Sequence, residues 1–178
     1  MSYLFKIFVD ILLLQAGPQN LPASRFLLNA ATLLYFFSGI LVSLLNFSFL
    51  SAIGISIMDT ALLALMAWLP LRMRNFANRT PQTLTAIFGA LGLFSIISLP
   101  MDIWFTTLSN TEQNFNQIPS LIMIFLSVWS LAALGHILRH ALEITSIVAA
   151  GLSLLYMILS LFITTLLFIP TVGNGGAS

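Results

Sequence analysis

The chain has 178 residues and a net charge of +1; 59% of them are hydrophobic and only 6% are charged, against about 25% charged in a soluble globule. A single domain of this length cannot hide so much apolar surface in its own core, so lipid is the solvent that fits, and six scattered Lys and Arg residues exclude nucleic acid as a main partner. The absence of cysteine excludes disulfides, thiolate metal sites, haem attachment and a lipoprotein anchor.

Residues 2–15 are apolar but shorter than the ~20 residues a spanning helix needs. Ser2, Lys6 and Asp10 recur every four residues and share one helical stripe, while Leu, Ile, Phe and Val fill the rest of the circumference. This pattern predicts an amphipathic helix lying in the membrane plane with its polar stripe outward; a tilted extra span is the alternative. No cleavable signal peptide is expected, because Lys6 and Asp10 interrupt the apolar stretch instead of preceding it. Gly17-Pro18 ends the segment, and Leu21-Pro22 continues an irregular link toward Ser24.

Five spans follow, over residues 26–45, 49–71, 81–105, 119–140 and 144–169. The first two would otherwise form one implausibly long apolar block, so a tight hairpin is expected near Asn46. Thr80-Pro81 is expected to open the third span, with Thr80 as N-cap and Pro81 at the first helical position, and Pro100 to kink its far end. Residues 109–117, polar and uncharged except for Glu112, read as an exposed loop, and 173–178 as a short mobile tail. The expected fold class is thus all-α membrane: residues 1–178 form a single integral membrane domain, a bundle of five transmembrane helices preceded by the in-plane helix.

This span count puts Lys6, Arg25, Arg72, Arg74, Arg79 and Arg139 on one side, with Asp102 and Glu112 on the other. By the positive-inside rule the basic side is cytoplasmic, so the N-terminus is expected inside and the C-terminus outside. The inner ends of spans two and four, Leu69-Pro70-Leu71-Arg72 and His136-Ile137-Leu138-Arg139, are loosely alike, but both are simply spans leaving on the basic side, and no inverted repeat is read from them.

Asp59 is the sharpest anomaly, a carboxyl near the middle of span two. Ionised and alone there it would cost about 2.5–3.5 kcal/mol even on the lenient insertion scale. The cost is avoided if the group is neutral or meets partners inside the bundle, and no spanning Lys or Arg offers a counter-ion. Counted by depth, Tyr35, Ser95, Ser98, Ser127, Ser130 and Tyr156 lie at similar levels. A hydrogen-bonded structural Asp59 and a proton- or ion-responsive Asp59 both fit this pattern.

The second constellation is His136, His140 and Glu143, whose i, i+4, i+7 spacing sets them on one helix face. Two imidazoles and a carboxylate so placed are weak candidates for a zinc site with an open coordination position. The ordinary reading is interfacial, with Arg139 reaching the headgroups and Glu143 paired with Arg139 or His140. No metal or cofactor is expected. Asp102, beside Trp104, reads as an outer-interface residue; Trp68 marks the inner interface and Trp129 packs the bundle. Gly89 and Gly92, with Ala86 and Ala90, allow close helix contact. No nucleotide loop, Ser-His-Asp set or pair of catalytic carboxylates is present, so an enzyme is disfavoured.

The in-plane helix, the Pro-containing link and five closely spaced spans resemble the Yip1-like family in its short bacterial branch. The closest stretch runs from Val128-Trp129-Ser130 to His136-Ile137-Leu138-Arg139, and Leu21-Pro22-Ala23-Ser24-Arg25 leading into span one looks similar too. The resemblance implies a fold and a bacterial inner membrane. The GTPase contacts of eukaryotic members belong to a long cytosolic region, and with about 25 residues before the first span they are not carried over; no functional residue is transferred. The expected function is therefore a non-enzymatic membrane protein organising lipid or partner proteins, with the lipid bilayer and either membrane-protein partners or further copies of itself (a homo-oligomer) as its partners. The alternative is a small transporter or channel subunit using Asp59.

Overall fold

The structure, a computed structural model, describes residues 2–111 and 117–168. Among these the chain is all-helical: α1 (Ser2–Leu12), α2 (Arg25–Ser43), α3 (Phe49–Met73), α4 (Thr80–Thr111), α5 (Gln117–Leu142) and α6 (Ser146–Phe168), with 3-10 turns at Pro18–Asn20 and Ala77–Arg79. Helices α2 to α6 are long and apolar enough to cross a bilayer, which supports a multi-pass membrane protein. Their outward faces carry bare hydrocarbon side chains, with Phe26 83%, Leu50 80% and Ile147 85% exposed, a surface compatible with lipid.

Several expected boundaries move. Helix α4 continues to Thr111 and α5 starts at Gln117, so the polar stretch is helical at both its ends, while Glu112 and the tail lie outside the described residues. Polarity marks where a helix leaves hydrocarbon, not where it stops. Pro100 sits inside α4, and Pro70 inside α3, without ending either helix. Thr80 is no N-cap: it is itself helical, continuing from the 3-10 turn, and its hydroxyl has no hydrogen-bond partner among the described residues. Ser24 does cap α2, accepting from the Leu27 amide at 3.4 Å.

Three helices close in the same way. Leu14, Asn75 and Glu143 follow α1, α3 and α5 in the left-handed region, at φ 61°, 62° and 54°. After each, an amide returns to a carbonyl five residues back: Gln15 to Asp10 (2.8 Å), Phe76 to Leu71 (2.8 Å) and Ile144 to Arg139 (3.3 Å). This pattern satisfies carbonyls that the helix end would otherwise leave bare.

Arg25 starts α2, Arg72 and Arg74 lie at the end of α3, Arg79 immediately precedes α4, and Arg139 is near the end of α5. Cross-links tie this end of the bundle together. The Arg74 guanidinium donates to the Leu142 carbonyl at 2.8 Å, Arg79 pairs with Glu143 at 2.6 Å, and the Gln82 amide donates to the Leu21 carbonyl at 3.0 Å. Inward from it, Leu63, Leu71, Ile87, Leu134 and Ile137 are fully buried. Helix α1 buries Ile7, Phe8, Ile11 and Leu12 against the bundle and leaves Phe5 and Lys6 exposed. A Cβ at Gly89 would collide with the Phe8 ring, so α1 docks on α4 about 14 Å along from Thr80, at 1.5 Å per residue.

Candidate functional site

Ten residues of α3 separate Asp59 from Phe49, about 15 Å of helix, which places the carboxyl deep in the span. Two neighbouring helices bring hydroxyls to it. From α2, the Tyr35 hydroxyl donates to Asp59 Oδ2 at 2.5 Å; from α6, Tyr156 and Ser160 both donate to Oδ1 at 2.7 Å. The two phenol oxygens are themselves 3.2 Å apart.

Each arm has a local cause. Tyr156 and Ser160 are one helical turn apart and so share a face of α6. Tyr35 is buried, its ring 5.3 Å from that of Phe88, because α2 and α4 nearly touch: a Cβ at Gly92 would lie 3.0 Å from the Tyr35 nitrogen and 3.1 Å from its Cα. Only glycine allows two backbones to approach this closely.

Counting hydrogens shows what the triangle can do. Each phenol carries one proton. With Asp59 ionised, both protons point at the carboxylate and the 3.2 Å contact between the phenols is unbridged. With Asp59 neutral, the same oxygens form a closed ring: Asp59 Oδ2–H donates to Tyr35, Tyr35 to Tyr156, and Tyr156 to Asp59 Oδ1. The hydroxyls can therefore serve a charged or a neutral carboxyl by turning, with the 3.2 Å contact closing slightly in the neutral ring.

A cavity of about 200 Å³ adjoins the carboxyl, lined among others by Gly39, Ser43, Ser56, Thr60 and Ser95. A second, of about 220 Å³, shares Tyr35, Val42 and Ser95 with the first and reaches Tyr156, Ser98, Ser130 and Asp102. Gly39, Ser43, Ser56, Ser95, Ser98 and Asp102 lie farther from the arginine-bearing end of their helices than Tyr35 and Asp59 do. Toward that end the packing closes with Leu63, Ala67, Leu71 and Ile87. The site is polar on one side and plugged by hydrocarbon on the other.

Of the residues matched to Asp59 by depth, Tyr35 and Tyr156 bond to it. Ser95 lines both cavities, but its hydroxyl donates to the Leu91 carbonyl at 3.0 Å. Ser98 lies 3.2 Å from Asp102 Oδ2, and Ser130 donates to the Ser127 carbonyl at 2.9 Å beside the second cavity. Ser127 is exposed and donates to the Met123 carbonyl at 2.8 Å, away from the site. Ser160 is the partner that depth counting misses; its place one turn beyond Tyr156 is the signal that finds it. Asp102 is half-buried and lines the second cavity, so it is more than a residue of the outer rim.

His136, His140 and Glu143 do not converge, and no group of three metal-ligating residues forms among the described residues. Helix α5 ends at Leu142, and the left-handed Glu143 turns off the helix face to pair with Arg79 instead of Arg139 or His140. His136 Nε2–H donates to the Ala16 carbonyl at 3.1 Å, which leaves that nitrogen without a lone pair for a metal, and its ring packs edge-on against His140. Trp129 has a similar role, its indole N–H donating to the Leu12 carbonyl at 2.9 Å.

Comparison with protein families, with curated proteins and with solved structures finds no match to this chain.

Proposed function

We propose that the chain is a small multi-pass transporter or channel subunit in which Asp59 takes up and releases a proton from the polar cavities. The observation that carries this reading is the Asp59–Tyr35–Tyr156 triangle, with oxygens at 2.5, 2.7 and 3.2 Å, whose hydroxyls can turn to serve either a charged or a neutral carboxyl. A carboxyl kept for structure alone needs neither two adjoining cavities nor a second carboxyl, Asp102, on the neighbouring one. The reading sets the chain in a bacterial inner membrane with the arginine-bearing end cytoplasmic and the C-terminus outside, so the cavities face outward and the hydrocarbon plug faces the cytoplasm. In that setting α1 is a short amphipathic helix docked on the bundle about 14 Å along α4 from Thr80, deeper than the headgroup layer, with Phe5 toward lipid and Lys6 exposed. The test is proton uptake into vesicles reconstituted with the purified protein. Wild type should acidify the lumen down a potential and Asp59→Asn should not; equal uptake by both would sink the reading.

A second reading, a non-enzymatic Yip1-like protein that organises lipid or partner proteins, draws support from a different place. A groove of about 400 Å³ between α5 and α6 is lined by Val128, Leu131, Ala132 and Leu154, with His136 and Arg139 on its basic side. An acyl chain fits the apolar length and an anionic headgroup fits the arginine. Anionic lipid retained by the wild type and lost from Arg139→Ala, measured by native mass spectrometry, is the expected result; equal retention would remove this support.

A further inference from the structure

We propose that the cavity beside Asp59 binds a monovalent cation of sodium size, held by Ser56, Thr60 and the remaining lone pair of Asp59 Oδ2. The inference rests on the reading of Asp59 as the functional centre and adds the ion that the site would take.

Many hydroxyls in this bundle are tied to the backbone, and among the described residues the buried ones left without a partner are those of Ser56, Thr60 and, away from this cavity, Thr80. Thr32 donates to Leu28, Thr83 to Arg79, Thr85 to Pro81 and Thr165 to Leu161, at 2.7 to 2.9 Å, as serine and threonine in helices ordinarily do. Ser56 is 3% exposed and its Oγ has no partner among the described residues; nor does Thr60 Oγ1. Buried polar atoms without partners are uncommon and call for an explanation. Both line the cavity at Asp59. Ser56, Asp59 and Thr60 stand at i, i+3 and i+4, so one face of α3 presents all three. Across from them, a Cβ at Gly39 would come within 3.2 Å of Ser56 Oγ, so the glycine leaves that hydroxyl uncrowded.

The carboxylate supplies the charge. It offers about four lone-pair positions, of which Tyr156 and Ser160 occupy two on Oδ1 and Tyr35 one on Oδ2. The last, on Oδ2, is left for the cavity. One carboxylate with neutral hydroxyls matches a single positive charge, whereas calcium and magnesium favour sites richer in carboxylate or keep much of their water. A volume of about 200 Å³ leaves room for an ion with several waters at about 30 Å³ each. The titratable groups facing Asp59 are Tyr35 from α2 and Tyr156 from α6. Asp102 of α4 lies on the second cavity, and α5 offers only Ser130 there. In the neutral ring the proton on Oδ2 points at Tyr35 and cancels the carboxylate charge, so protonation weakens the hold on the ion.

The experiment is equilibrium binding of radioactive sodium to the purified protein in detergent, with choline as the replacement ion. Wild type should bind saturably; Ser56→Ala and Thr60→Val should each weaken binding about tenfold, the scale of one lost ligand. Thr60→Ser, which keeps the hydroxyl, should bind like wild type, as should Ser127→Ala. Absence of saturable binding, or wild-type affinity in both Ser56→Ala and Thr60→Val, overturns the proposal. Melting in choline checks that each variant is folded. Proton uptake separates the two readings: if Asp59→Asn abolishes uptake while sodium never binds, the ion site falls and the proton reading stands. If sodium binding is lost in Asp59→Asn but uptake is unchanged, only the proton reading falls.

Discussion

Gly92 of α4 lies against the backbone of Tyr35 in α2, so close that a Cβ would meet the Tyr35 nitrogen at 3.0 Å. The same residue whose hydroxyl reaches Asp59 is therefore positioned by a side chain that is missing. Gly92→Val should push α2 from α4, draw the phenol off Oδ2, and destabilise the bundle by about 1–3 kcal/mol, the usual cost of overpacking. Gly151→Ala is the matched control, since nothing lies within 4 Å of a Cβ there. Melting in detergent reads both; equal effects would refute the close-approach argument.

Tyr35→Phe and Tyr156→Phe each remove one donor from the carboxyl. Hydrogen bonds inside membrane bundles average about 0.6 kcal/mol in double-mutant cycles. Here two donors share one acceptor and lie 3.2 Å apart, so the double variant should depart from the sum of the singles by about 0.5 kcal/mol or more. Unfolding free energies of the four proteins measure this directly. Strict additivity would mean that the triangle does not act as a unit.

The five long apolar helices are legible in the sequence because the bilayer sets their length and admits few charges. Asp59 stands out for the same reason, and depth counting brings Tyr35 and Tyr156 to its level. Depth carries no information about rotation around a helix axis, however. That is why Ser127, at the right depth, faces away, and why Ser160, Ser56 and Thr60 go unnoticed until the helices are packed. The i, i+4, i+7 spacing of His136, His140 and Glu143 fails for a related reason: it assumes that the helix continues, and Glu143 lies one residue past its end.

The chain contains no cysteine, which makes single-cysteine labelling clean. Asn46, in the turn between α2 and α3, and Asn78, in the turn before α4, are both exposed and lie at opposite ends of α3. An impermeant maleimide should label Asn78→Cys only in inverted vesicles and Asn46→Cys only in right-side-out ones. Labelling of both from one side is incompatible with α3 as a span.

Arg74 and Arg79 both reach the end of α5 but should differ in effect. Arg79 pairs with Glu143 in the open, at 45% and 58% side-chain exposure, a setting in which ion pairs are worth about 0–1 kcal/mol and weaken in salt. Arg74 donates to the Leu142 carbonyl, a terminal helix acceptor, where a charged donor also complements the helix dipole. Arg74→Ala should therefore lower stability more than Arg79→Ala, and the difference should survive in high salt. Melting curves at two ionic strengths decide it; a reversed order refutes the assignment.

Trp129 holds α1 in place through its far end. Its indole N–H donates to the carbonyl of Leu12, the last residue of α1, and the His136 ring, seven residues further along α5, does the same for Ala16. Carbonyls at a helix end lack internal partners, and in hydrocarbon no water replaces them. Trp129→Phe keeps the ring's bulk but removes the donor, so α1 should loosen while the five-helix bundle stays intact. Amide exchange over residues 2–16 should accelerate, with little change in the exchange of α3 or in global melting. Adding His136→Ala should extend the loss of protection through the 3-10 turn at Pro18–Asn20. Unchanged exchange in Trp129→Phe would mean that α1 is held by the apolar packing of Phe8 on Gly89 alone, and Phe8→Ala should then release it by itself.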